Sequence, residues 1–346
     1  MTTLSRRHLI HLATVASATG VLAACSSGTA ARSRASGASG VAAGKDAGSS
    51  GLTIGMSYTP NVQFAPFYMA AHQGRYAESV TLRHHGAQEG LFDALLAGTE
   101  QLVVAGADEA VVAASGGAGL VVVGGYYQAY PGCVIVPEDS QISSLADLAG
   151  RTVGLPGRFG ENWFALQVAL DSAGLSESDL EVQEIGYTQQ AALVAGKVDA
   201  IVGFSNNDAV QISLAGTPVR TLAVAEEVPL VGASLVTTPE VLGARREELA
   251  AAVAASVSGM ESFVADPDGA VEATKAYVSD LVDADQAANA RAVAVATAEL
   301  AAPAGSSTST GSVSDEQVAA MIAFLDDHGL LTGAAPSLRS VCDPLV

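Results

Sequence analysis

The sequence predicts an α/β protein of two lobes, each a mainly parallel sheet flanked by helices, with a ligand cleft between the lobes. Three observations predict it. Residues 52–56 (LTIGM) form a short apolar run, broken by Tyr58-Thr59-Pro60-Asn61 and followed by a helical pattern that ends at Gly74. An apolar run of that length bounded by a Pro-containing break is the signature of a buried strand. The construction then recurs: Ile54-Gly55-Met56 matches Val153-Gly154-Leu155, 99 positions on (153 − 54), and residues 94–111 match 192–210, with Gly98 opposite Gly196. Finally, each copy reads as a helix stopped by Ala-Gly, an apolar strand, and a polar loop that opens another helix. Strands alternating with helices make a parallel sheet. The repeat is far longer than the 20 to 50 residues or so of a solenoid. In such sheets ligands bind beyond the carboxyl ends of the strands.

The ends of the chain have a different character. Residues 1–25 are a leader: Ser5-Arg6-Arg7-His8-Leu9-Ile10 is a twin-arginine-like start, and the apolar stretch after it is short for a membrane span. The leader closes on Leu22-Ala23-Ala24-Cys25, which resembles the lipobox of bacterial lipoproteins; that resemblance implies acylation at Cys25. The other reading is an ordinary secretory signal with an incidental cysteine. Residues 26–51 are Ser-, Gly- and Ala-rich and carry almost no large apolar groups, which suits a flexible tether. No other segment is apolar for long enough to span a bilayer. Lobe one is expected over 52–135 and 233–346, and lobe two over 136–232.

A chain of 346 residues with a formal charge of −20 is large enough for about two domains and repels nucleic acid and anionic lipid. Metal is not expected. His84 and His85 are adjacent and point to opposite sides of a strand, and no further ligand stands nearby at metal spacing.

Candidate ligand-binding residues cluster in the loops after the strands. Asn61, Phe64 and Tyr68 follow the first strand. Glu89 and Asp108, the latter beside Glu109, can accept a ligand N–H or serve as helix-start carboxylates. Tyr127 belongs to a Gly-flanked tyrosine cluster (126, 127, 130) suited to stacking on a flat ligand or to packing between lobes. In lobe two the loop Gly157 to Trp163 offers Arg158, Phe159, Glu161 and Asn162 at a helix start, joined by Tyr187, Asn206 and Asn207. An Asn both donates and accepts, which fits a heterocycle with mixed edges; helix capping is its other role.

TPNVQFAPFYMA, LADLAGRTVGLPGRFG, IGYTQQAAL and AGKVDAIVGFSNND, together with the lipobox, resemble the extracytoplasmic solute-binding proteins of ABC importers. Among these the sequence is most similar to the group that binds pyrimidine precursors of thiamine or riboflavin. The resemblance implies a type II periplasmic-binding-protein fold that closes on its ligand, a monomer held outside the cytoplasm on a lipid anchor, and a permease and ATPase as partners. It implies no cofactor and no catalysis. Arg158, Glu161 and Trp163 depart from the smaller or neutral residues of relatives, which leaves open another small solute such as a sulfonate or nitrate. Two other classes remain: a ligand-sensing receptor subunit, and a pyrimidine-synthase-like enzyme on the same fold. The enzyme would need a nucleophile beside a base, and neither Cys133 nor Cys342 has a partner His at a recognisable spacing. The two cysteines either pair with each other or stay free.

Overall fold

The computed structural model describes residues 51–86 and 89–346; the leader, Cys25 and the tether as far as residue 50 lie outside the described residues. Its strands are β1 (Leu52–Met56), β2 (Val80–His84), β3 (Leu102–Gly106), β4 (Val121–Gly125), β5 (Gly132–Pro137), β6 (Thr152–Leu155), β7 (Glu181–Glu184), β8 (Ala200–Phe204), β9 (Val219–Ala223) and β10 (Ala233–Thr237). They form two five-stranded sheets, ordered β2-β1-β3-β10-β4 and β7-β6-β8-β5-β9. The second order copies the first, as the repeat in the sequence requires. In each sheet one strand, β10 or β5, runs antiparallel to both its neighbours. Those two strands are where the chain changes sheet. β5 pairs along its length with β8 and β9, so the crossing precedes Gly132, ahead of the 135/136 boundary read from the sequence.

Helices α1 (Ala65–His72), α2 (Asp93–Leu96), α3 (Ala107–Ser115), α4 (Gly160–Ala173), α5 (Gln189–Val194) and α6 (Asp208–Leu214) connect the strands. Helix α2 is only four residues long. Gly98 ends it at φ 77°, and Gly196 ends α5 at φ 61°; at both positions the chain turns in the left-handed region open to glycine. The N–H groups of Thr99 and Lys197 reach back to the carbonyls of Ala94 and Ala192, the same closing bond in both copies. The edge strands β7 and β9 were not anticipated. Their polar sequences, EVQE and VRTLA, suit strands half open to water and hide the apolar signal of a buried one.

The carboxyl-terminal part is helical: α7 (Pro239–Ala265), α8 (Pro267–Thr274), α9 (Ala284–Ala301), α10 (Asp315–Asp327) and the short α11 (Leu338–Val341). The 27-residue α7 is long and apolar enough to cross a membrane by length and composition. It is kinked at Arg245 and buries Leu249, Val253, Met260 and Phe263 in the core of the first sheet, the place of a core helix in this fold. Helix α1 lies against it so closely that a Cβ at Gly259 would meet the Pro66 carbonyl at 2.2 Å and Ala70 Cβ at 2.8 Å. A second core runs between the sheets and joins Val103, Val111 and Val122 to Val153, Leu155 and Phe164 through α3 and α4.

Backbone cannot yield as a side chain does, so Gly259→Leu should cost about 1–3 kcal/mol of stability. Urea unfolding of this variant beside wild type measures it; an unchanged midpoint would show that α1 and α7 do not pack this tightly.

Candidate functional site

Segments that follow β3, β6 and β8 meet beside the connector between β4 and β5. Its backbone is tied to both sides. The N–H groups of Gln128 and Ala129 donate to the Leu300 carbonyl at the end of α9, and the Ser205 N–H donates to the Pro131 carbonyl from beyond β8. Tyr126 is buried, its hydroxyl donating to the Gln63 carbonyl at 2.7 Å and its ring edge-on to Phe67. Tyr127 tilts against Tyr126 with centroids 4.5 Å apart and stays half-buried at the junction.

Asn206 crosses that junction from the loop after β8. It is 1% exposed, and its Nδ2 donates to the Tyr127 hydroxyl at 3.2 Å and to Thr297 Oγ1, on α9, at 3.0 Å. Its Oδ1 is buried and has no protein partner, and the same is true of Asn162 Oδ1. A buried acceptor without a donor is costly, so such atoms mark positions where a ligand donor gains most.

Beside the Asn–Tyr contact stand three carboxyl groups. Asp108 and Glu109 lie in the first turn of α3, and Glu161 in the first turn of α4. Asp108 is fully buried and accepts from the Glu109 N–H at 2.7 Å and the Tyr130 hydroxyl at 3.0 Å. Glu109 and Glu161 are half-buried, and Glu161 Oε1 is shut off from solvent with no partner. Burial pushes all three carboxyls above the usual carboxylate range; at Glu109 and Glu161 the neighbouring carboxylates push the same way. The site is thus rich in acceptors and in carboxyl groups that readily hold a proton.

Of the residues singled out in the sequence, Asp108, Tyr127, Glu161 and Asn206 come together here, and Asn162 follows Glu161 in the first turn of α4. Others are placed differently. Asn61 caps the turn that precedes α1, accepting from the Gln63 N–H and donating to the Thr59 carbonyl. Phe64 and Tyr68 are core residues: Tyr68 stacks on Tyr277 at 3.9 Å and bonds His84 Nε2 at 2.9 Å. Glu89 is held by Arg83, which also pairs with the buried Glu100. Arg158 is engaged by Glu177 and Glu184 within lobe two. Phe159 and Tyr187 are exposed, and Tyr187 lines a shallow hollow of about 500 Å³ with Gln189 and Asp208. Asn207 stands at the N-cap of α6 without a side-chain capping bond. Sequence reasoning missed Thr297, which lies in an Ala-rich helix with no motif around it, and the Arg83–Glu100–His85 network, whose members are scattered along the chain.

Cys133 and Cys342 are both free and buried, which answers the open question of their pairing. Burial pushes the Cys133 thiol up to about 12 and the Cys342 thiol up to about 11. A nucleophilic cysteine needs the opposite shift.

Two mainly parallel sheets joined by two crossings, with polar loops facing each other across the junction, define the two-lobed fold of periplasmic binding proteins. The chain aligns structurally with the aliphatic sulphonate-binding protein SsuA of Escherichia coli at a TM-score of 0.67 and 18% identity, covering 84% of this chain and 91% of that one. Residues 61–270 match the family described as NMT1/THI5 like, and the chain belongs to that family. It is 33% identical over 234 residues to the riboflavin-binding protein RibY of Chloroflexus aurantiacus, covering 66% of this chain and 67% of that protein. A shorter match, 35% identical over 99 residues, is to a putative thiamine biosynthesis protein of Haemophilus influenzae, covering 28% of this chain and 31% of that protein.

Replacing Thr297 by Val leaves Asn206 one acceptor short in a buried place. The expected loss is about 0.5–1.5 kcal/mol in chemical denaturation; no loss would mean that the contact to α9 is not made in solution.

Proposed function

We propose that this chain is the solute-binding component of an ABC importer, and that it captures a neutral or protonated nitrogen heterocycle between its lobes. A riboflavin-like ring system or a pyrimidine precursor of thiamine is the class of solute. The observation that carries this reading is the chemistry of the junction. Asn206 bonds the Tyr127 hydroxyl while its own Oδ1 is unpartnered, Glu161 acts on the same phenol, and Asp108 and Glu109 crowd against Glu161. Such a surface pairs with N–H donors on a planar ring, while Tyr127 offers a face for stacking. It repels an anion, which weighs against a sulfonate or nitrate. RibY, by its name a riboflavin-binding protein, supports the same class of solute.

Capture needs no covalent chemistry. A solute that touches both lobes binds the closed arrangement more tightly than the open one, and that difference in affinity shifts the population toward closure. A permease and its ATPase would then receive the solute, with the protein held at the membrane through Cys25. Catalysis is disfavoured: the described cysteines are buried thiols with raised pKa values.

A thermal-melting panel tests the ligand class. Riboflavin or an aminopyrimidine, at about a hundred times its Kd, should stabilise the protein by about 2.7 kcal/mol, whereas an alkanesulfonate should not. A shift with the sulfonate alone would reverse the assignment. Tyr127→Ala should weaken binding of the active compound by about tenfold or more, and unchanged affinity in equilibrium dialysis would remove the stacking role.

A further inference from the structure

The carboxyl groups of the junction come from both lobes and crowd one point. A methyl group placed on Gly106 would lie 2.5 Å from Asp108 Oδ1, 3.1 Å from Glu109 Oε2 and 3.1 Å from Glu161 Oε1. From the other lobe, Gly160 brings its Cα so close that a Cβ there would stand 2.9 Å from Glu109 Oε1. The Tyr130 hydroxyl stitches the two sides, lying 3.0 Å from Asp108 Oδ2 and 3.2 Å from the Glu161 carbonyl.

Among the described residues no positive charge balances this cluster. The charged or ionisable groups that act on it are its own members and the phenols of Tyr127 and Tyr130. On the elements packed around it, α10 turns Val318, Met321 and Leu325 inward, and the β9–β10 connector gives Val231 and Gly232. Glu226 and Glu227 on that connector are exposed. Arg158, just ahead of α4, is occupied by Glu177 and Glu184.

We propose that lobe closure takes up protons at the Asp108–Glu109–Glu161 cluster, so that the closed protein is favoured at acidic pH and opens as pH rises. The proposal deepens the solute-capture reading and rests on it only in needing lobes that close. Parting the lobes takes Glu161 away from Asp108 and Glu109 and so removes the like-charge repulsion between them. Brought together out of water, like charges disfavour joint ionisation, and a retained proton lets one carboxyl donate to another. Glu161 Oε1, aimed at the shared point and unpartnered, is the oxygen placed for that bond. The sign follows from the proton count. The closed form binds more protons, so each rise in pH above the ordinary carboxylate range moves the equilibrium toward the open form, by up to about tenfold per pH unit for each proton taken up.

Small-angle X-ray scattering of the solute-free full chain between about pH 5 and pH 9 tests this, a span from just above ordinary carboxyl values to well past them. The radius of gyration of wild type should grow as pH rises. In Glu161→Gln the growth should vanish or move up by about one pH unit or more, because an amide carries no charge to repel. Glu109→Gln gives the same test should the first variant fail to fold, and Glu226→Gln, at an exposed carboxyl, should track wild type. A wild-type curve flat with pH overturns the proposal, as does an identical rise in both cluster variants. No solute is added, so the result is readable whether or not the heterocycle assignment holds.

Discussion

Each sheet accepts one strand that runs against its neighbours, and everything else in the architecture depends on that pairing. β10 lies between β3 and β4, and β5 lies between β8 and β9, each hydrogen-bonded on both edges. A strand in the middle of a sheet is costly to remove, because both ladders are lost with it. The two chain crossings are therefore clamped at their far ends, and the freedom that remains lies in the connectors themselves. This is the arrangement required of two rigid bodies that move about a short joint. It also explains why the tyrosines of the β4–β5 connector sit where they do: they are the filling of the joint.

The polar content of the junction carries a cost that the fold does not offset internally. Glu161 Oε1, Asn162 Oδ1 and Asn206 Oδ1 are shut away without donors, and Asp108 is buried with two donors for its two oxygens. In a purely structural core such atoms would be replaced by apolar ones at little loss. Glu161 Oε1 and Asn206 Oδ1 lie where the two lobes meet, so the cost falls at the junction and not inside one core. The same chemistry underlies both proposals: an unpartnered acceptor can pair with a solute N–H, and crowded carboxyls can hold a proton.

Much of the architecture was legible in the sequence because it is written twice. Gly98 and Gly196 are a case in point: each turns the chain in the left-handed region, and they stand opposite each other in the repeat. The buried strands β1, β3 and β8 announced themselves as apolar runs, whereas the edge strands β7 and β9, wet on one side, did not. The site was half legible. Asn206 and Tyr127 stand in loops after strands, and Asp108 and Glu161 in the helix turns that follow strands, where the period of the pattern breaks. Yet the same rule also picked out Arg158 and Glu89, whose charges are spent on Glu177, Glu184 and Arg83. Whether a loop side chain faces the gap or a neighbour on its own lobe depends on partners far away in the chain. Thr297, reaching Asn206 from 91 residues further on, is the clearest instance.

The chain has a single tryptophan, and its position has a practical meaning. Trp163 occupies the first turn of α4, two residues past Glu161 and half-buried, with the Arg158 guanidinium 5.6 Å above its ring. An indole is sensitive to the polarity and charge around it, and no other indole obscures its signal. The molecule thus carries its own optical gauge at the start of the helix that faces the joint, usable without any attached dye.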